Sequence, residues 1–249
     1  MPVMDEFKKE REAIRQKSLK EKLAYFFYYY KWHTLVAVIL LVGAFHLISQ
    51  MVNRKDCALY VCLMNTMASD KTADYVQSFE EYAGIDRSKS EVLFDTTMAI
   101  EIGGKDQITA SSFQKLAVYT AAGDLDLIIT KPDLIHYYVD QQIYRDLRQL
   151  LTPEQYALYE PYFFYVDQTI VDALIEAQKK GETYEAVFSD PRRPEIMENP
   201  VPVGIFLDNC PRLKENVRFG DEEIVLSVIT TSSRVETGLK FIDFIMQEP

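Results

Sequence analysis

The sequence predicts an α/β domain, a mostly parallel sheet flanked by helices, carried behind one transmembrane helix. Three observations predict it. No charged residue lies between Lys31 and Arg54. Beyond that run, almost continuous apolar stretches of strand length recur, as expected of strands buried on both faces. Those stretches alternate with helical segments that stop at glycines, the order that yields parallel strands with covering helices. The chain divides into a basic cytoplasmic lead (residues 1–31), a signal anchor (32–53) and an extracytoplasmic domain (54–249).

The anchor comes first. A helix of roughly 20 residues crosses about 30 Å of hydrocarbon, and residues 34–52 are apolar apart from Thr34, His46, Ser49 and Gln50. A neutral His46 near the outer end of one helix is tolerated there. The lead holds eight basic residues against five acidic ones, whereas only Arg54 and Lys55 follow the span at once. This asymmetry puts the N-terminus in the cytoplasm and the rest outside. Tyr25, Phe26, Phe27, Tyr28, Tyr29, Tyr30 and Trp32 directly precede the span and suit the headgroup layer. A cleaved signal would have a shorter basic lead, a shorter apolar core and a small-residue cleavage site. The residues before Cys57 (Asn53, Arg54, Lys55, Asp56) do not suit lipidation. Residues 5–30 read as a charged helix with a thin apolar stripe of Phe7, Ile14, Leu19, Leu23 and Phe27.

The strands and helices of the domain follow in order. Residues 57–64 (CALYVCLM) form the first strand, ended by Asn65 and Thr66. Ser69 or Asp70 caps a helix through Ala83, with Tyr75, Phe79 and Tyr82 inward and Gly84 as its stop. Residues 92–94 and 98–102 make a second strand region before Gly103 and Gly104. A helix over 111–122, with Phe113, Leu116, Ala117 and Thr120 on one side, ends at Gly123. Residues 124–130 form a third strand, and Pro132 opens the next helix. Residues 147–151 and 153–159 look helical, 162–166 a strand, 170–179 a helix ending at Gly181, and 184–188 a short strand. Residues 190–202 read as a proline-rich loop. Strands over 203–207 and 223–230 and an amphipathic helix over 234–247 complete the pattern.

Residues 56–249 carry 17 basic and 33 acidic residues. A surface so acidic repels phosphate backbones, so no nucleic-acid partner is expected. The basic lead suits an anionic inner leaflet. Cys57 and Cys62 share one strand, too far apart for a disulfide. Buried free thiols are expected, with a bridge to Cys210 left open. No metal site or cofactor is expected, since His136 is the only histidine outside the anchor region.

Three segments together resemble the extracytoplasmic solute-binding proteins of ABC transporters, which have the type 2 periplasmic-binding fold. They are residues 113–129 (FQKLAVYTAAGDLDLII), 144–151 (YRDLRQLL) and 227–245 (SVITTSSRVETGLKFIDFI). The first is similar to the family's helix that runs through a glycine into the last strand of the first lobe. The second is similar to the segment leaving that lobe. The third is similar to the returning strand and the helix that packs back on it. Full-length members have two similar lobes, but residues 131–202 are short and mostly helical here, so the resemblance implies a reduced second lobe. Residues 26–33 (FFYYYKWH) and the span resemble anchors of membrane proteins of Gram-positive bacteria. The resemblance implies a membrane-anchored binding protein for a polar solute, or a component associated with an ABC transporter or another membrane protein. The alternative is a cell-surface scaffold that binds no ligand.

In open α/β sheets ligands bind beyond the carboxyl ends of strands. The ligand-binding candidates are therefore Asn65, Thr66, Thr96, Thr97, Thr130, Lys131, Asp208, Asn209, Thr231 and Ser232. The same residue types are preferred as helix caps. Thr130 and Lys131, before a helix start, could hold an anion. Tyr137, Tyr138, Tyr162, Phe164 and Tyr165 suit either sugar stacking or the core. Asp124 and Asp126 share one strand face, but a turn at Gly123 explains them without acid–base chemistry. Residues 190–195 (DPRRPE) offer a basic loop to a partner. Serine-hydrolase, zinc-protease, phosphate-loop and dinucleotide signatures are missing, so no catalytic residues are assigned and a non-enzyme is expected.

Overall fold

The computed structural model describes residues 18–52, 54–220 and 222–247. The chain forms two compact units, Met1–Arg54 and Lys55–Pro249. In the first, helix α1 runs without a break over Leu19–Val52. Its window Lys31–Ser49 has a mean hydropathy of 1.9 and no buried residue. Among the described residues one helix is thus long and apolar enough to cross a membrane. Ser18 and Glu21 close a capping box at its start, with the Ser18 N–H donating to Glu21 Oε2 at 3.1 Å. The expected charged helix over 5–30 is continuous with the span from Leu19 on. Its first part, with Phe7 and Ile14, lies outside the described residues.

The second unit is built on a six-stranded sheet: β1 (Asp56–Leu63), β3 (Ser90–Asp95), β4 (Leu127–Thr130), β5 (Phe163–Asp167), β6 (Pro200–Phe206) and β8 (Val225–Val228). Their order is β3-β1-β4-β8-β6-β5. A small ribbon pairs β2 (Met67–Ala68) with β7 (Val217–Arg218). β1 alternates between two cores. Leu59, Val61 and Leu63 face a layer that holds Phe79, Phe241 and Ile245. Tyr60, Cys62 and Met64 face a second layer with Leu116, Ile128 and Leu134. Burying each such side chain contributes about 1.5–3 kcal/mol. On the first face lie α2 (Thr72–Ala83) and α8 (Val235–Met246), joined through the edge-to-face pair Phe79–Phe241 at 5.0 Å. α3 (Gln107–Ala122), α4 (Pro132–Tyr138) and α6 (Gln168–Lys180) contribute to the second. The short helices α5 (Pro153–Tyr159) and α7 (Pro211–Asn216) flank the first layer through Tyr159 and Leu213.

Local chemistry explains the helix ends. Gly84, Gly123 and Gly181 hold left-handed φ of 71°, 72° and 70° after α2, α3 and α6. Thr152 and Gln155 form a capping box on α5, and Pro132 occupies the first turn of α4.

Several expectations are corrected. The sheet is mixed, not mostly parallel: β1 pairs in parallel with β3 and β4, whereas β4–β8, β6–β8 and β5–β6 are antiparallel. As expected, residues 131–202 build no facing sheet. β5 and the start of β6, both from this stretch, extend the same sheet at its far edge. Residues 184–188 are not a strand. Pro200 and Pro202, expected in a loop, lie in β6 beside a register shift opposite Phe164 and Tyr165, where a ladder tolerates missing N–H groups. α3 begins a turn early because Asp106 caps it, accepting the Thr109 N–H at 2.9 Å. Residues 98–102 are not a strand, although Met98 and Ile100 are buried. Ala117 and Tyr82 are exposed rather than inward, although the Tyr82 ring still meets Phe244 at 5.3 Å. Lys71, not Ser69 or Asp70, stands at the N-cap of α2. The three cysteines are free as expected, with Cys62 and Cys210 buried, and only the half-buried Cys57 departs from the expectation.

Candidate functional site at the carboxyl edge of the sheet

The directions of the strands locate the site. β1, β3 and β4 run the same way, and β6 joins them because it is antiparallel to β8, which is antiparallel to β4. One edge of the sheet therefore collects the carboxyl ends of these four strands. From β1 the chain goes to β3 on one side, then crosses to β4 on the other. The crevice between the ends of β1 and β4 is thus a topological switch point, where open α/β sheets bind ligands.

A groove of about 660 Å³ opens at that place. Asn65 lines it from the end of β1, Lys131, Asp133 and Leu134 from the end of β4, and residues 99–109 from the segment that enters α3. Asn65 fixes one wall. Its Nδ2 donates to the Ile100 carbonyl at 3.0 Å and its Oδ1 accepts the Ile100 N–H at 2.8 Å. To do so Asn65 takes a left-handed φ of 56°, a region asparagine tolerates better than most residues. The Ser112 hydroxyl accepts the Ala99 N–H at 3.1 Å and ties the same wall to α3.

The groove is negative. Glu101, Asp106 and Asp133 line it against the single cation Lys131. Hydrogen bonds from Thr109 hold the Asp106 carboxyl below its ordinary range. Lys131 is already ion-paired with Glu222. An anion here would meet three carboxylates and an engaged lysine, so the geometry speaks against the anion reading of Thr130 and Lys131. Beside it, a second hollow of about 540 Å³ shares Lys131 and Asp133 and adds Glu222 and Glu223.

The ten candidate residues separate. Asn65 and Lys131 line the groove. Thr66 closes the turn after β1 through its hydroxyl to the Leu63 carbonyl at 2.8 Å. Thr130 is buried, and among the described residues its Oγ1 has no partner. Thr96 and Thr97 follow β3 away from the groove. Thr97 donates to Asp95 through N–H and hydroxyl, and Lys115 Nζ reaches Asp95 at 2.6 Å and Thr97 Oγ1 at 2.9 Å. Burial pushes the Asp95 carboxyl up, but the hydrogen bonds from Lys115, Thr97 and Tyr60 outweigh it and bring the pKa to about 2. Asp208 and Asn209 lie on the same edge beyond β6. Asp208 holds Arg192 at 2.9 Å, and Asn209 donates to the Tyr162 hydroxyl at 3.3 Å.

Thr231 and Ser232 lie at the opposite edge, because β8 runs against its neighbours. There the Ser232 hydroxyl donates to Asp126 Oδ1 at 2.6 Å. The fully buried Asp126 also accepts the Tyr60 N–H at 2.8 Å and Arg234 Nε at 2.7 Å. Asp126 is thus a latch between β1, β4 and the start of α8, while Asp124 contributes its carbonyl to Arg234. The basic loop is neutralised. Arg192 lies 3.5 Å from the Phe206 ring centroid and pairs with Glu223 at 2.8 Å, while Arg193 pairs with Glu195 at 2.9 Å. Phe164, Tyr165 and Tyr138 are core, whereas Tyr137 is 44% exposed.

Glu101 and Asp106 are groove residues that sequence reasoning missed, whereas Asp133 belongs to the strand end 130–133 that it pointed to. The Asp106-x-x-Thr109 cap was the available signal for one of the two missed residues. No protein-family model matches the chain, and no curated protein matches it.

Proposed function

We propose that this chain is a membrane-anchored extracytoplasmic binding protein for a polar solute that is neutral or positively charged. In this reading α1 crosses the membrane once with the N-terminus in the cytoplasm, as the lysine and arginine bias favours. The domain serves a Gram-positive cell surface, alone or beside an ABC transporter or another membrane protein, and it is a binder rather than an enzyme. One observation carries the proposal: the groove sits at the switch point between β1 and β4, lined by three carboxylates against one lysine. The resemblance to type 2 solute-binding proteins gains support from β8 returning antiparallel beside β4 and from α8 packing on α2 and β1.

A second reading rests on a different observation. Residues 131–202 add strands to the one sheet and raise no wall opposite the groove. A scaffold that kept the fold without capturing a ligand fits that geometry.

Thermal unfolding of the full chain in lipid nanodiscs, against sugars, amino acids, amines and short peptides, separates the two. A ligand at 100 times its dissociation constant stabilises by about 2.7 kcal/mol. Binding is expected to favour cations over anions and to weaken in Glu101→Gln and Asp133→Asn. Silence across the panel, with other membrane proteins retained on the purified chain, favours the scaffold. Protease added to intact cells should cut the domain, and protection there would overturn the orientation.

A further inference from the structure

A separate cavity, of about 410 Å³, lies at the edge of the sheet opposite the groove. It is formed by α3, the end of α4 and the turn that follows, and the turn after β8. Every residue lining it is uncharged, in a chain whose net charge is −11. Phe113, Leu116 and Ile143 give it apolar walls, and the exposed Gln141 stands at its rim.

Two unpartnered hydroxyls meet in this one cavity. Thr120 and Tyr138 line the cavity and are only 9% and 4% exposed. Among the described residues neither Thr120 Oγ1 nor Tyr138 Oη has a hydrogen-bond partner. Buried hydroxyls are rarely left so, because the loss of water is then uncompensated. Three other buried hydroxyls, those of Thr130, Tyr144 and Ser227, are also without a partner among the described residues, but none of them lines this cavity, and several neighbours are satisfied. About two turns before Thr120 on α3, the Ser112 hydroxyl holds the Ala99 N–H. The Tyr60 and Tyr159 hydroxyls donate to Asp95 and Asp243.

We infer that this cavity is a binding site for a small uncharged amphipathic molecule, a single-ring alcohol or phenol, whose oxygen meets the Tyr138 and Thr120 hydroxyls while its ring rests on Phe113, Leu116 and Ile143. The volume suits one ring and lies within the usual range for ligand pockets. A charged ligand is disfavoured, since no lining group neutralises it and burying an unpaired charge is costly. The site is independent of the carboxyl-edge groove and of the function proposed for it.

The test uses the full chain in lipid nanodiscs, with empty nanodiscs to subtract partition into lipid. Saturation-transfer NMR titrations compare benzyl alcohol with toluene, benzylamine and benzoate. Saturable binding of benzyl alcohol is expected, several-fold tighter than toluene and with no saturable binding of either ion. Tyr138→Phe and Thr120→Val each remove one oxygen at nearly constant shape, and each should weaken benzyl alcohol about two- to tenfold while leaving toluene unchanged. Ala117→Trp, from the exposed side of the lining, blocks entry and gives an independent check with the core untouched. Absence of saturable benzyl alcohol binding, equal affinity for toluene, or an unaltered affinity in all three variants would overturn the inference.

Discussion

Replacing Arg234 with methionine isolates the latch at Asp126. The Asp126 side chain is 1% exposed and its partner Arg234 is 21% exposed. Removing one member of a buried pair costs about 3–5 kcal/mol, because the other charge stays buried without compensation. Here the carboxylate keeps the Tyr60 N–H and the Ser232 hydroxyl, and Arg234 is partly solvated, so the cost falls at the low end, about 3 kcal/mol. Methionine retains the apolar stem, which separates lost charge from lost packing. Adding Asp126→Asn to Arg234→Met removes the stranded charge and should recover roughly half of the loss. Pulse proteolysis in urea, following the intact band of the detergent-solubilised chain, measures both. Arg234→Met within about 1 kcal/mol of the native protein, or a double variant no more stable than the single one, would refute the reasoning.

Two further outcomes follow from the core. Burial against Phe188 and Phe164 pushes His136 down to about 4. The unfolded chain therefore takes up the proton first as pH falls. The stability linked to His136 is complete above about pH 6.5 and declines towards pH 4 by at most about 3 kcal/mol. His136→Phe should flatten that limb of a urea-midpoint against pH curve, and parallel curves would remove histidine from the account. Gly204 lies in the sheet where an added Cβ would stand 2.6 Å from Val225 Cγ1, 2.8 Å from Ser227 Oγ and 3.0 Å from the Leu226 carbonyl. Gly204→Ala should cost about 2–3 kcal/mol, read as a lowered urea midpoint, and an unchanged midpoint would mean that β6 and β8 separate easily.

What could be read in advance follows the range of the interaction. The apolar run of β1 and the stops at Gly84, Gly123 and Gly181 depend on neighbours a few residues away, and they were legible. Strand direction is not local. Residues 225–228 read equally well as a parallel or an antiparallel strand, and only pairing with β4 and β6 decides. That single ambiguity also misplaced Thr231 and Ser232, whose edge depends on the direction of β8. Prolines 200 and 202 signalled a loop because their tolerance in β6 depends on a register shift created by β5. Of the groove, Asn65 and Lys131 were found because they end strands. Asp133 follows Lys131 in the same turn, whereas Glu101 and Asp106 sit in a segment that the fold alone brings against them.

The position of β8 has a consequence for how the domain comes into being. Among the described residues it is the only strand joining β3-β1-β4 to β6-β5, and it is the last strand in chain order. Until residues 225–228 emerge, the earlier strands form two separate ladders with open flanks, and closure demands contacts very distant in sequence, which folding makes slowly. With this layout the two ladders become one sheet only once the final strand slots into the middle.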